Sequence, residues 1–385
     1  MNATIHGKHI GNPHHTSHMV FAFVKKNIVL VIAATLAAIT SIIVPPDADY
    51  IGYFDFRTLT CLFCTLAVVC ALKNIRFFTF LAQKIVMCTG NLRMAVLALV
   101  YITFIGSMLI ANDMALLTFL PLGYFVLEST GKKRYMAFTF IMQNIAANLG
   151  GMLTPFGNPQ NLYLYSRFSI PTSDFMMTML PPFLLSVALI TVCCLIFVKG
   201  EKLSLENGEN ITLPTWRTVV YLILFAFSII IVFRIVPYWM GLIVIPLSLI
   251  FLDRKALGKV DYALLFTFVS FFIFSGNMGR IEMVRDVFSS LLEKNALIVS
   301  AVSCQFISNV PSAILLSQFT DNWRQLLVGV NIGGAGTLIA SLASLITFRE
   351  YSKREPKKTA FYIGIFSAIN FAFLIILAIF EFFVL

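Results

Sequence analysis

Long apolar stretches, each near the length needed to cross a bilayer, follow one another along almost the whole chain. Short polar segments separate them, and this alternation predicts an all-α polytopic membrane protein with about nine transmembrane helices. Hydrophobic residues make up 59% of the sequence and charged residues 12%, so a soluble fold is excluded. The expected spans are 27–45, 57–72, 135–153, 175–198, 217–234, 237–252, 261–279, 324–348 and 359–384.

Two further apolar stretches are interrupted in the middle by polar residues. Residues 93–128 contain Ala111-Asn112-Asp113-Met114, and residues 296–320 contain Ser308-Asn309-Val310-Pro311. Basic residues flank the first stretch on both sides, so the chain is expected to enter and leave on one face of the membrane. The pattern predicts two re-entrant hairpins, which are tolerated only where the tip is buried in protein or lines a cavity.

Each hairpin is followed by a second interrupted stretch, and this recurrence predicts two repeats. The first repeat covers 25–198, with its hairpin at 93–128 and a broken helix at 135–168. The second covers 235–385, with its hairpin at 296–320 and a broken helix at 324–348. A polar tail (1–24), a cytoplasmic linker (199–216) and a connecting transmembrane helix (217–234) complete the chain, and the extra helix would invert the second repeat.

The net charge of +10 reflects Lys and Arg in short loops rather than a surface for nucleic acid. The basic clusters fall on one side if both hairpins return to their starting face. The positive-inside rule makes that side the cytoplasm. We therefore expect a multi-pass protein of the cell (inner or plasma) membrane, with a cytoplasmic amino terminus, an external carboxyl terminus and the lipid bilayer as its surroundings.

The histidines and cysteines give no support for a structural metal site or a cofactor. All five histidines lie in the first eighteen residues, and the seven cysteines lie in or beside apolar spans. Cysteines in such places are usually small hydrophobic residues. The spans also contain no histidine, paired acids or Ser/Lys arrangement on facing helices, so we expect a protein that is not an enzyme.

The hairpin tips can bind ions of both signs. Asn112 is expected to cap the returning helix, whose free amides and positive dipole end would then favour an anion. The helix that arrives at the same tip offers free carbonyls, which suit a cation. Ser308 and Asn309 are expected to form the matching second tip, and a sodium ion near Asn112 and Asn309 is compatible with both.

The broken helices add further candidate ligands. Gly157 permits non-helical backbone, Pro155 removes a donor, and Asn158 followed by proline is typical of a helix start. In the second half a glycine-rich run precedes Thr337 and Ser341. The candidate substrate-binding or ion-binding residues are Asn112, Asp113, Thr154, Pro155, Gly157, Asn158, Asn161, Ser308, Asn309, Thr337 and Ser341, and Thr154, Asn158, Gln160 and Asn161 are expected to face the cavity.

Asp113 is an acid that the sequence places deep in the membrane interior. An unpaired carboxylate there costs several kcal/mol, so the group needs a partner or a proton. It is expected to serve as a proton carrier or a sodium ligand. The alternative is a neutral acid hydrogen-bonded across the tip. Glu381, by contrast, falls at a predicted span end, where snorkelling or solvent exposure would explain it.

These motifs resemble the ion transporter superfamily, which includes divalent anion/sodium symporters, citrate carriers, arsenite efflux permeases and a sodium/proton antiporter family. The resemblance covers nearly the whole chain. It implies two inverted repeats with the substrate between the hairpin tips, Asn112 and Asn309 as the tip asparagines, and 154–161 and 337–344 as the unwound segments. Ala111-Asn112-Asp113 is similar to the arsenite permeases rather than to the Ser-Asn-Thr tips of dicarboxylate symporters. The resemblance leaves a homodimer open.

The sequence thus predicts a secondary active transporter for a small anion, either a carboxylate or an inorganic oxyanion. Sodium or protons would drive it, and the resemblance implies an elevator-type movement of the hairpin domain. Two alternatives stay open at this point. One is a sodium/proton antiporter in which Asp113 exchanges the ion, and the other is an arsenite efflux permease.

Overall fold

The structure, a computed structural model, describes residues 27–87, 89–202 and 211–385. The polar tail 1–24 with its histidines, Cys88 and part of the 199–216 linker lie outside the described residues. The described residues form helices joined by short turns, with one isolated bridge between Asn91 and Lys202. The prediction of an all-α polytopic membrane protein is confirmed.

The described residues of the first half form eight α-helices, and a ninth connects them to the second half. Side chains of Asp55 and Asn91 cap two of them, by accepting hydrogen bonds from the amides of Thr58 and Met94. The helices are α1 (Ile28–Ile43), α2 (Phe56–Asn74), α3 (Phe77–Met87), α4 (Leu92–Ile110), α5 (Asn112–Ser129), α6 (Met136–Gly150), α7 (Pro159–Arg167), α8 (Thr172–Phe197) and α9 (Thr215–Val232).

The second half repeats this order of long and short helices. Helix α13 bends at Asn295, whose non-helical backbone separates an amphipathic first part from the arm of the hairpin. The helices are α10 (Tyr238–Leu252), α11 (Arg254–Gly258), α12 (Tyr262–Arg280), α13 (Glu282–Ile307), α14 (Asn309–Leu316), α15 (Trp323–Ile332), α16 (Leu342–Arg354) and α17 (Thr359–Val384).

Seven helices are long and apolar enough to cross a membrane, by length and composition among the described residues. They are α2, α4, α8, α9, α12, α13 and α17. The sequence-predicted spans at 135–153 and 324–348 are not among them, because each ends early in an irregular segment. The first irregular segment, 151–158, separates α6 from α7, and the second, 333–341, separates α15 from α16.

Helices of one half pack against helices of the other, and each such pair has an equivalent pair in which the halves are interchanged. Helix α1 packs on α12, and its counterpart α10 packs on α2, the counterpart of α12. In the same way α5 packs on α16, and its counterpart α14 packs on α7. Each hairpin therefore rests on the helix that follows the break in the other half.

Both arms of the first hairpin reach the same end of the bundle. The Leu92 amide donates to the Glu201 carbonyl over 2.8 Å, and the Lys132 ammonium lies 2.5 Å from the Glu201 carboxylate. Arg134 also bonds this carboxylate. We call this end A. The hydrogen bond from Lys132 holds the pKa of Glu201 below its ordinary value.

The second hairpin reaches the opposite end, end B. Helix α12 runs between the ends. Asp261 at its start shares a cavity with Arg349. Gly279 in its last turn lies beside Gln318 at the base of the second hairpin. Arg349 belongs to α16, and Arg354 of that helix stacks on Tyr124 of the first hairpin at end A. An ion pair of 2.7 Å between Asp47 and Arg280 marks end B, and Arg280 holds the pKa of Asp47 below its usual value.

Candidate functional site

The two hairpin tips share one backbone conformation. Ala111 has φ 64° and ψ 150°, and Ser308 has φ 75° and ψ 159°. Residues other than glycine rarely adopt this backbone region. In both tips the next residue is an asparagine whose Oδ1 accepts the following amide over 2.9 Å, Asn112 from Asp113 and Asn309 from Val310. The expectation that Asn112 caps the returning helix is wrong, because Asn112 is the first residue inside that helix.

A cavity of about 280 Å³ lies between the tips. Asn112 and Asp113 line it from one hairpin, Ser308 and Asn309 from the other, and Gln160 from α7. Its remaining walls are largely apolar. They include Val29, Ile32 and Leu36 on one face of α1, and Leu264, Thr267, Phe271 and Phe274 on α12.

Four helices begin at the wall of this central cavity. They are α5 at Asn112, α7 at Pro159, α14 at Asn309 and α16 at Leu342. The amino-terminal end of a helix carries partial positive charge, so all four favour negative charge in the cavity. Among the described residues that line it, none is Lys, Arg or His, and Asp113 is the one acid.

Two amide side chains hold the irregular segments in place. The Nδ2 of Asn161 lies 3.1 to 3.3 Å from the carbonyl oxygens of Gly151, Met152 and Thr154. In the second half the side-chain amide of Gln305 in α13 donates to the irregular segment in the same way. Its Nε2 lies 2.8 and 3.2 Å from the carbonyls of Gly333 and Ala335 and 2.9 Å from that of Ala301. Backbone groups that lost their helical partners are thereby satisfied.

The threonines of the irregular segments bind the hairpins. Thr154 donates to the Met108 carbonyl over 2.9 Å, and Thr337 donates to the Gln305 carbonyl over 3.0 Å. Each acceptor lies three residues before the tip residue of the hairpin in its own half. The expectation that Thr154 and Asn161 face the cavity is wrong, because irregular backbone must recruit nearby side chains for its own hydrogen bonds.

Two buried asparagines join the halves and were not among the candidate residues. The Nδ2 of Asn148 donates to Ser341 Oγ over 3.0 Å, and its Oδ1 accepts from Asn112 over 3.1 Å. Asn331 contacts the other half in the same way, since its Nδ2 donates to Asn161 Oδ1 over 2.6 Å. A repeated Asn-x-Gly-Gly run, at 148–151 and 331–334, is the sequence signal that could have found this pair.

The residues that precede α7 and α16 differ in what they do. Asn158 precedes α7 but makes no side-chain cap, and its Nδ2 lies 3.3 Å from Asn331 Oδ1 instead. Ser341 does cap α16, because its Oγ accepts from the Ser344 amide over 3.2 Å. Pro155 and Gly157 lie in the irregular segment, and Gly151 and Gly157 approach each other so closely that a Cβ on Gly157 would overlap the Gly151 carbonyl.

Three side-chain oxygens near the tips are buried without a hydrogen-bond partner among the described residues. They are Asp113 Oδ1, Asn158 Oδ1 and Gln160 Oε1. A buried acceptor without a donor is costly, so all three atoms fit a cation, and the Asp113 carboxylate alone can take a proton instead. Glu381 of α17 also has both carboxylate oxygens buried without a partner. The expectation of an exposed span end is wrong for Glu381, because it lies on the packed face of its helix.

The central cavity continues toward end A and shares no lining residue with the cavity at end B. A smaller cavity of about 100 Å³ shares part of its lining and reaches Asp261 and Arg349. At end B, the rings of Tyr163 and Phe272 lie 5.5 Å apart between centroids, and Tyr163 Oη lies 2.8 Å from Ser317 Oγ. All three side chains are buried, and none of them lines the central cavity.

A helical membrane protein with two hairpin tips and two interrupted helices around one cavity has the construction of a solute transporter. The chain belongs to the citrate transporter family, whose sequence pattern its residues 18–322 match. The resemblance inferred from the tips and unwound segments is confirmed, and so is the expectation that the protein is a transporter and not an enzyme.

Similar proteins carry transporter or membrane-protein names. An uncharacterized transporter of Methanocaldococcus jannaschii is 31% identical over 316 residues, which cover 82% of this chain and 86% of that protein. The inner membrane protein YbiR of Escherichia coli is 27% identical over 78% of this chain and 81% of its own length. A silicon efflux transporter of Oryza sativa subsp. japonica is 30% identical over 137 residues, or 35% of this chain and 28% of that protein.

Proposed function

We propose that this transporter is a secondary active carrier of a small anion, either a carboxylate or an inorganic oxyanion. The observation that carries the proposal is the meeting of four helix amino termini at one cavity between the two tips. Their partial positive charges can stabilise an anion without a basic side chain. The citrate transporter family name agrees with a carboxylate substrate.

A cation that travels with the anion would complete the site. Asp113 Oδ1, Gln160 Oε1 and Asn158 Oδ1 are buried acceptors with no donor among the described residues. Sodium would use such oxygens together with backbone carbonyls at the tips near Asn112 and Asn309, whereas a proton would reside on Asp113 alone. Either ion would also offset the negative charge of the Asp113 carboxylate beside the anion.

Movement of the hairpins against a static part of the protein would carry the site across the membrane. The exchanged packing of α1 on α12 and α10 on α2 supports two inverted repeats related by a pseudo-two-fold axis. In this proposal the hairpins and broken helices move as an elevator along these paired helices. End A, which carries most of the basic loops, would face the cytoplasm.

A second candidate is the export of an uncharged oxyacid in exchange for protons. The absence of Lys, Arg and His from the described lining of the central cavity favours it, because a neutral hydroxyl-rich solute needs no counter-charge. The silicon efflux transporter among the similar proteins agrees with this alternative, as does the resemblance of the first tip to arsenite permeases. A third candidate is a sodium/proton antiporter, in which Asp113 would exchange the two ions and no other substrate would be carried.

Thermal unfolding of the purified protein with added ligands decides between these candidates. The panel contains citrate, succinate, sulfate, phosphate, arsenite and silicic acid, each with and without sodium at pH 5.5 and pH 7.5. A ligand at 100 times its Kd raises stability by about 2.7 kcal/mol. An anion that stabilises only with sodium, or only at low pH, supports the coupled carrier. Stabilisation by silicic acid or arsenite alone supports the exporter, and stabilisation by sodium or pH alone supports the antiporter.

A further inference from the structure

A second cavity, of about 450 Å³, opens at end B and shares no lining residue with the central cavity. We call it the end-B vestibule. The start of α2, the end of α7 and the start of α10 form its walls. Its polar lining consists of Tyr53, Asp55, Arg57, Tyr163, Ser166, Arg167, Ser169, Tyr238 and Gln318.

Two arginines of the end-B vestibule are free to bind an anion. Neither Arg57 nor Arg167 forms an ion pair or a hydrogen bond with a described residue, and the Arg57 guanidinium lies 5.9 Å from the ring centroid of Tyr238. Asp55 is the one acid in the lining, and its carboxylate already accepts from the Thr58 amide and hydroxyl over 2.9 and 2.7 Å.

Neighbouring groups add to the positive potential. Helices α2 and α10 begin at this cavity with positive dipole ends, and α7 ends there with a negative one, so positive helix ends outnumber negative ones among these three helices. Arg234 lies just behind it with its guanidinium 4.1 Å from the Tyr165 ring centroid. The corresponding space at end A carries Arg349 together with Asp261 and is nearly neutral. The adjoining cavity at end B shares Arg167 with the vestibule and also contains Arg285, Glu293 and Asp321, so its two basic and two acidic side chains balance.

We propose that the end-B vestibule is a low-affinity site for carboxylate or oxyanion dianions, which collects the substrate before it enters the central cavity. This inference rests on the proposed anion transport. Arg57 and Arg167 would raise the local anion concentration at the mouth, and the layer of Tyr163, Phe272 and Ser317 beneath them is the barrier that the anion must then pass.

Transport kinetics test the capture step. Uptake of labelled citrate and labelled sulfate into proteoliposomes is measured against substrate concentration at several choline chloride concentrations, with sodium and pH constant. The R57Q/R167Q variant should raise KM at low ionic strength by about threefold or more and flatten its dependence on salt. R57K/R167K should restore both, because the charge is kept.

The matched control compares R324Q with R57Q alone, because each removes one positive charge. Arg324 lies at end B outside the vestibule, where it stacks on Trp323. R324Q should leave KM and its salt dependence as in the unmodified protein, and R57Q should change both. Equal effects of R324Q and R57Q would overturn the proposal, since they would indicate a general effect of surface charge. An unchanged KM in R57Q/R167Q would also overturn it.

A binding measurement separates this inference from the proposed function. Equilibrium dialysis of citrate and sulfate is performed at low ionic strength on N112A/N309A, in which the central site is disabled. Binding should persist there and disappear when R57Q/R167Q is added. If the unmodified protein transports no anion, the proposed function fails, and the vestibule is decided by this dialysis alone: no binding that depends on Arg57 and Arg167 would overturn it.

Discussion

The two hairpin tips are alike in backbone and different in chemistry. Ala111 and Ser308 adopt the same rare conformation, and Asn112 and Asn309 make the same local hydrogen bond. The next residue is Asp113 in the first tip and Val310 in the second. The shared features build the cavity, whereas the ionisable group belongs to one tip. In the proposed function, the duplicated geometry would position the substrate, and the departure from symmetry would supply the place for an ion.

The strongest test of the shared features replaces each tip asparagine in a separate single variant. Asn112→Ala and Asn309→Ala should each reduce transport by at least about tenfold, because a buried hydrogen-bonded amide is lost at the site. The measurement is uptake into proteoliposomes, with membrane abundance and a single gel-filtration peak as the control for folding. Retained transport in both variants would remove the tips from the proposed site.

The difference between the tips is tested at the next position. Asp113→Asn should change the pH and sodium dependence of transport more than the substrate KM, because it keeps the shape and removes the ionisable group. Val310→Asp, added to the Asp113→Asn variant, tests whether an acid at the second tip restores the pH and sodium dependence of transport. Unchanged pH and sodium dependence in Asp113→Asn would make Asp113 a structural acid.

Close packing of each broken helix on its hairpin arm is a further shared feature. A Cβ on Gly150 would overlap the Phe104 carbonyl and lie 2.6 Å from Ser107 Oγ, and one on Gly333 would lie 2.9 Å from Ala301 Cα. Alanine at either position should cost about 1 to 3 kcal/mol through overpacking. Thermal unfolding in detergent measures the loss. Gly364→Ala, with no atom within 4 Å of the new Cβ, is the control and should be close to neutral.

The bases of the hairpins provide the smallest expected contrast. Glu201 clamps the first base through Lys132 and Arg134, whereas a neutral bond of 3.2 Å from the Ala296 amide to Gln325 Oε1 holds the second. The pKa of Glu201 is lowered in the folded protein. Its contribution is therefore present above the unfolded pKa and is lost as the pH falls through the folded value.

Hydrogen exchange at the two bases, corrected for intrinsic rates, checks this contrast. Acidification to about pH 3, below the ordinary range for a glutamate, should increase exchange around 92–95 and 130–134 more than around 296–298, because the pKa of Glu201 is lowered. Glu201→Gln should show the increased exchange already at neutral pH and little further change in acid. An equal response of both bases in the unmodified protein would contradict the assignment.

The sequence was sufficient to predict the helical membrane fold, the tips and the irregular segments. Asparagine, glycine and proline in the middle of an apolar stretch indicate a helix break. The sequence therefore located the breaks at both tips at the correct residues. The direction of individual side chains was harder to predict. Thr154 and Asn161 are polar residues beside a cavity, yet both bind backbone, because the local demand for hydrogen bonds depends on how the chain leaves the helix.

Contacts between distant parts of the chain were the main omission. Asn148 and Asn331 lie within predicted helices, where a single asparagine usually joins neighbouring helices and signals no site. Their importance depends on partners 193 and 170 residues away. The repeated Asn-x-Gly-Gly run marks the two positions but does not show these partners. Glu381 was misplaced for a related reason, since its burial depends on which face of α17 packs on the protein.

The amide side chains that hold the irregular segments have fewer protons than acceptors. A primary amide has two N–H bonds, yet Asn161 Nδ2 has three carbonyl oxygens within 3.3 Å, and Gln305 Nε2 has three within 3.2 Å. One carbonyl must therefore share a proton at every moment. The segment can exchange acceptors one at a time without passing through a state in which all are broken. The amide can therefore keep the segment attached to the protein while one carbonyl acceptor replaces another.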